Sequence, residues 1–156
     1  MATLSGYMVF EQADGFQYSL NFSAAITTAK VLMQLQFTSA MSGEIVEIAV
    51  DGQSDTADAM EIVVARYSAV SSSGTSFTPI ELIENGPAST TTNATNGTGV
   101  VFTTEGTQTD ILLRRDASVQ AGGGFYWSRG MGGAKPTRLY LAASGIVGIK
   151  SNITIS

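Results

Sequence analysis

Three aspartates in one polar stretch, Asp51, Asp55 and Asp58 of DGQSDTADAM, are the first residues whose type and spacing could do chemistry. Calcium takes several oxygen ligands from loops of this kind, but the EF-hand pattern D-x-D-x-D-G is not met. The stretch is therefore expected to be an acidic, solubilising turn between strands, and no metal or other cofactor is expected. A second stretch, AGGGFYWSRGMGGAK, is rich in glycine and ends in Lys135. A phosphate loop needs G-x-x-x-x-G-K-[S/T] between a strand and a helix. Here Lys135 follows Ala134 and precedes Pro136, and no helix pattern comes after, so the match fails.

The run Phe125, Tyr126, Trp127 with Arg129 just beyond it allows three readings. Trp, Tyr and Arg together mark interface hot spots. The same rings could form a sugar-binding platform, or the single Trp could be a core residue.

Catalytic chemistry has little to work with. The chain has 156 residues with no His and no Cys. That removes the commonest general base and the thiolate nucleophile, and with them disulfides and thiolate metal sites. A serine nucleophile would need Lys30, Lys135 or Lys150 as its base, and no S-x-x-K motif is present. A carboxylate pair for glycoside hydrolysis is compatible with the composition, but no pair stands out. The expectation is a protein that is not an enzyme.

Charged residues make up 13% of the chain and hydrophobic residues 44%, with a mean hydropathy of +0.17. Soluble domains average about 25% charged residues. Depletion of charge is also a property of interface cores, which points to a chain that covers part of its surface with copies of itself or a partner. A polar but uncharged β-protein is the plainer alternative. The net charge of −5 offers no basic surplus for displacing phosphate counterions, so nucleic acid is not an expected partner. The charge is uneven: residues 1–62 carry eight acids and one base, a balance of −7, and residues 110–156 carry two acids and six bases, a balance of +4. The two ends could pair within one fold or steer neighbouring subunits together. No apolar run approaches the ~18 residues of a membrane helix, and MATLSGYMVFEQADG lacks a basic start and a continuous apolar run, so neither membrane insertion nor a secretory signal is expected.

The elements that must position these residues read as strands. KVLMQLQFTS sets Val31, Met33, Leu35 and Phe37 on one face, with Gln34, Gln36 and Thr38 on the other. EIVEIAVDG sets Val46, Ile48 and Val50 inward and Glu47 and Asp51 outward. MEIVVARYSAV sets Met60, Ile62 and Val64 inward, and its second face is also apolar, so both sides should be covered. NGPASTTTNATNGTG reads as an exposed loop. DILLRR could open a short helix, though its β-branched and glycine-rich surroundings oppose a long one. Strand candidates at this spacing, with no long helix, predict an all-β sandwich, with a jelly roll the variety that has about eight strands and long connections. Residues 1–25 are expected to be an N-terminal arm or edge strands, and residues 26–156 a single β-sandwich domain. The arm's rings, Tyr7, Phe10, Phe16 and Tyr18, join Phe125, Tyr126, Trp127 and Arg129 as interface candidates.

IVEIAVDGQSDTADAMEIVVARYSAVSSSGTSFTPIEL, roughly residues 45–82, resembles a pattern of tailed-bacteriophage virion proteins, in particular capsid decoration (cement) proteins. Its parts are an I-x-x-I-x-V-x-G strand, a D/S-T-A turn, a strand ending in Arg, and a G-T-x-x-T-P-I/V strand. The resemblance implies a jelly-roll or similar sandwich, made in the host cytoplasm and carried on the capsid surface of the virion. It also implies a homotrimer that bridges subunits of the major capsid protein and holds them against the pressure of packaged DNA. A carbohydrate- or receptor-binding module of a tail or fibre is the alternative; it calls for Phe125, Tyr126 and Trp127 exposed along a groove. A β-sandwich hydrolase, with two carboxylates facing across a cleft, is the third.

Overall fold

The computed structural model describes residues 2–26, 29–53, 59–72, 75–76, 78–96, 104–118, 120, 123–131 and 138–152. Asp55, Asp58 and Lys135 lie outside them. The chain is all-β among the described residues, and two antiparallel sheets of six strands each pack face to face.

Sheet A contains β1 (Ala2–Gln12), β2 (Gln17–Ile26), β4 (Gly43–Gln53), β7 (Ile80–Glu81), β10 (Gly124–Ser128) and β11 (Leu139–Leu141), in the order β10-β4-β1-β2-β7 with β11 also on β4. Sheet B contains β3 (Lys30–Gln36), β5 (Ala59–Tyr67), β6 (Thr75–Ser76), β8 (Thr92–Asn96), β9 (Gln108–Ser118) and β12 (Ile146–Ser151), in the order β6-β8-β3-β12-β5-β9. The chain changes sheet from β2 to β3, β3 to β4, β4 to β5, β6 to β7, β7 to β8, β9 to β10 and β11 to β12. Two antiparallel sheets packed in this way make a β-sandwich. The strand between β2 and β4 is the first in the chain.

Residues 1–25 therefore do not form an arm. β1 and β2 are long paired strands, and β1 is central in sheet A, flanked by β2 and β4. The reason is local. Asp14-Gly15 makes the tight turn between them, with Gly15 at φ 89 and the Asp14 carboxylate accepting from the Phe16 amide at 3.1 Å. Alternation then sends Leu4, Met8, Phe10, Tyr18, Leu20 and Phe22 into the core. Phe10 stacks on Tyr18 with centroids 5.5 Å apart and meets Phe37 edge-on at 5.7 Å.

The expected strands at 31–38, 45–50 and 60–67 are present as β3, which ends at Gln36, β4 and β5, and Ile48, Ile62 and Val64 are fully buried. Val46 is only half-buried, because it is the extra residue of a bulge: Val9 pairs with Glu47 and Phe10 with Ile45. Ile45 takes the core position instead. The segment expected as one exposed loop contains β8, which pairs with β3, and the possible helix at DILLRR is strand β9, paired along β5.

Sheet B is covered on its outer side too. Val31, Val63, Ala65, Tyr67 and Ile146 form a second cluster there, joined by Val70. Residues 68–72 and 104–107 lie across this face. The Ser71 amide donates to Gln34 at 2.6 Å, and Glu105 accepts from the Val31 amide at 2.6 Å and from Lys150 at 2.7 Å. Gln34, expected on a solvated face, is consequently fully buried.

Candidate functional site

The outer face of sheet A carries the densest set of polar and aromatic side chains among the described residues, and the bulge at Val46 builds it. Strict alternation from Val50 through Ile48 would send Glu44 inward. The extra residue reverses the phase, so Ile45 enters the core and Glu44 emerges on the outer face. There it stands opposite Glu11 on β1 and opposite Tyr140 on β11.

Two carboxylates directly opposite each other repel. Arg129, at the end of β10, answers them. Its backbone amide donates to the Val46 carbonyl at 2.7 Å, which anchors it at the bulge. Its guanidinium pairs with Glu11 at 3.3 Å and forms a close ion pair with Glu44. Arg138 completes the group, donating to both oxygens of Glu44 at 2.9 and 2.8 Å. The cluster of two acids and two arginines is neutral overall. Glu44 is 5% exposed beneath the guanidinium groups. The hydrogen bonds from Arg138, followed by those from Arg129, hold its carboxyl below the ordinary 4.5 although burial opposes this. A carboxylate so pinned is an anchor and not a proton donor near neutral pH. Beside the cluster, Gly43 and Ala13 leave a hollow of about 160 Å³ rimmed by Tyr140 and Arg138.

These pairs also explain the uneven charge of the sequence. Arg129 and Arg138 reach Glu11 and Glu44, and Arg114 reaches Glu61 at 3.2 Å. The basic end and the acidic beginning pair within one fold.

Two outward-facing rows further along β4, beyond Val9 and Glu47, Tyr7 and Tyr126 flank Ala49 on the strands to either side. The Tyr7 hydroxyl donates to Glu47, and that bond, with burial second, pushes its pKa up to about 12. Tyr126 is 54% exposed. Asp51 is exposed on the same face, two residues beyond Ala49.

The sequence-derived interface candidates divide between the two sides of the sheet. Phe10, Tyr18, Phe125 and Trp127 are buried in the core, so they are not available to a partner of the folded chain. Phe16 is partly buried against the same core. Tyr7, Tyr126 and Arg129 lie on the outer face. Strand β10 alternates, so only Tyr126 of the three consecutive aromatics points outward; the reading of Trp127 as a core residue holds, and the alternative of a three-ring platform does not form. Glu11, Glu44, Glu47, Arg138 and Tyr140 are additions from the structure. The doublet Ile45-Val46 between two glutamates carries the signal for them, because two adjacent apolar residues break a period of two.

A separate surface lies at the β7 edge of sheet A. Ile80, Leu82 and Ile83 are 60%, 52% and 54% exposed within four residues of chain. The turn after them is well formed: Asn85 has φ 61 and the Gly86 amide donates to the Ile83 carbonyl at 2.9 Å.

No family model, curated protein or solved structure matches the chain.

Proposed function

We propose that the protein is a structural virion component that decorates a tailed-phage capsid and stabilises it by bridging major capsid subunits, acting as a homotrimer and without catalysis. The phage setting comes from the resemblance of residues 45–82. The observation that carries the mechanical reading is the exposed apolar group Ile80, Leu82 and Ile83, held on an ordered turn at the edge of a rigid sandwich. Three large apolar side chains presented together mark an interaction surface. Ile80 and Leu82 also lie at the end of the stretch that resembles decoration proteins, and Ile83 follows it directly, which ties the sequence argument to one place on the fold.

Burial of such side chains against a capsid subunit is worth roughly 1.5–3 kcal/mol each. Repetition over the subunits of a trimer raises the avidity further. The test is co-sedimentation of the purified protein with mature capsids that lack it. Saturable, stoichiometric binding is expected, and the combined variant Ile80→Ser, Leu82→Ser, Ile83→Ser should reduce it at least tenfold while leaving the melting temperature unchanged. Full binding by the variant would remove this surface from the account.

A further inference from the structure

We propose that Asn85-Gly86 is a site of spontaneous covalent change, at which the asparagine amide is lost and a carboxylate appears beside Ile80, Leu82 and Ile83. Of the five asparagines, only Asn85 and Asn96 precede a glycine. A following glycine matters because its missing Cβ leaves its amide nitrogen open to the asparagine Cγ. Asn21, Asn93 and Asn152 are followed by Phe22, Ala94 and Ile153. Asn96 is held in β8, in register with Met33 on one side and Thr75 on the other. Asn85 stands in no strand. It is exposed and sits at φ 61, in the left-handed region, from which an L-residue relaxes readily to extended backbone. One backbone hydrogen bond, from the Gly86 amide to the Ile83 carbonyl at 2.9 Å, closes the turn, and Glu84 and Asn85 within it are exposed. A turn closed by one bond in solvent opens more often than the sheet beside it.

Once the turn opens, the Gly86 amide nitrogen gives up its proton to hydroxide and attacks Asn85 Cγ. A C–N bond forms, the bond from Cγ to the side-chain nitrogen breaks, and ammonia leaves, which closes a five-membered imide. Water then opens the ring. Attack at Cγ gives aspartate with the original backbone; attack at the Asn85 backbone carbonyl gives isoaspartate, with the chain running on through Cγ. The segment is anchored on both sides, because the Leu82 amide donates to the Gln17 carbonyl at 3.1 Å and the Tyr18 hydroxyl to the Pro87 carbonyl at 2.9 Å. Isoaspartate adds one carbon to the main chain between those anchors and so displaces the turn at Ile83. Either product adds negative charge to a segment that already carries Glu81 and Glu84. The exposed apolar group therefore has a limited lifetime. The covalent change does not rest on the capsid reading.

The test incubates the folded protein in mildly alkaline buffer, beside a reference unfolded in guanidinium chloride. Both are digested, and each asparagine is read by peptide mass spectrometry with fragmentation. In the folded sample Asn85 should be converted ahead of Asn21, Asn93, Asn96 and Asn152, with isoaspartate in excess over aspartate. In ¹⁵N spectra the Asn85 side-chain amide signal should be lost, and the Leu82 and Ile83 backbone signals should shift in step with that loss. Asn85→Gln should keep its spectrum over the same time, since its longer side chain would have to close a six-membered ring. The proposal is overturned if Asn85 keeps its amide in the folded protein, whether or not the unfolded reference loses it. It is also overturned if Asn21 and Asn152 convert as fast, or if Asn85→Gln shows the same shifts with time.

Discussion

Glu11 and Glu44 face each other across β1 and β4, and a single guanidinium, that of Arg129, serves both. The relationship exists because the bulge at Val46 turns Glu44 outward. It joins the first strand of the chain to the segment after β10, so its loss should be felt by the whole sheet. Arg129→Met should destabilise the fold by about 1–3 kcal/mol in urea unfolding, since the mostly buried Glu44 keeps only Arg138. Adding Glu11→Gln to that variant should recover part of the loss by removing the like-charge pair. A change below the error of the measurement for Arg129→Met would show a solvated pair with no structural role.

Acid should undo the same cluster. The folded-state pKa of Glu44 is depressed, chiefly by its hydrogen bonds to Arg138, so its contribution to stability is fully present above 4.5 and is lost as pH falls through the folded value. The gap in melting temperature between the parent and Glu44→Gln should be constant near neutral pH and narrow below 4.5. A gap that is flat or widens on acidification would contradict the assignment of Glu44 as a pinned anion.

The position of β1 gives a sharper expectation. Deleting residues 2–22 removes a central strand and much of β2, and with them the core side chains Leu4, Met8, Phe10, Tyr18, Leu20 and Phe22. The shortened chain should lose its cooperative melt by circular dichroism. Gly6→Ala should approach the same result, because a Cβ at Gly6 would sit 1.9 Å from the Ala49 carbonyl oxygen. A shortened chain that folds and melts cooperatively would return residues 1–25 to the role of an arm.

In the core, Ile62→Ala should cost about 2–5 kcal/mol in the same unfolding experiment, the range for removing this much volume from a packed site. Ile62 is 1% exposed within the main cluster. A cost under about half a kilocalorie would mean that β5 presents its other face to the sandwich.

The parts of this fold that were legible in the sequence are those governed by a period of two. Residues 33–37 and 60–67 show their inward faces directly, and the second apolar face of β5, at Val63, Ala65 and Tyr67, signals the layer that covers it; Val31, expected beside Met33, lies in that outer cluster instead, because the pairing of β3 with β12 skips Leu32, which takes the core position. Asp14-Gly15 between two alternating runs is a hairpin signal of the same local kind, and it overrides the reading of residues 1–25 as an arm. The site was less legible because long-range pairing decides it. The bulge at Val46 depends on the register with β1, and Gln34 is buried by loops distant in sequence. The exposure of Tyr126 beside buried Phe125 and Trp127 follows only once β10 is known to be a strand on β4. DILLRR has some helical character on its own, but its pairing along β5 makes it a strand.

The claim that the protein reinforces a capsid is tested most directly by heating. DNA-filled capsids stripped of the protein are warmed with and without it, and the temperature of DNA release is read with an intercalating dye. The account predicts that the protein raises the release temperature and saturates at a fixed number of copies per capsid. It also predicts that the variant altered at Ile80, Leu82 and Ile83 does neither. An unchanged release temperature at saturating protein would contradict it.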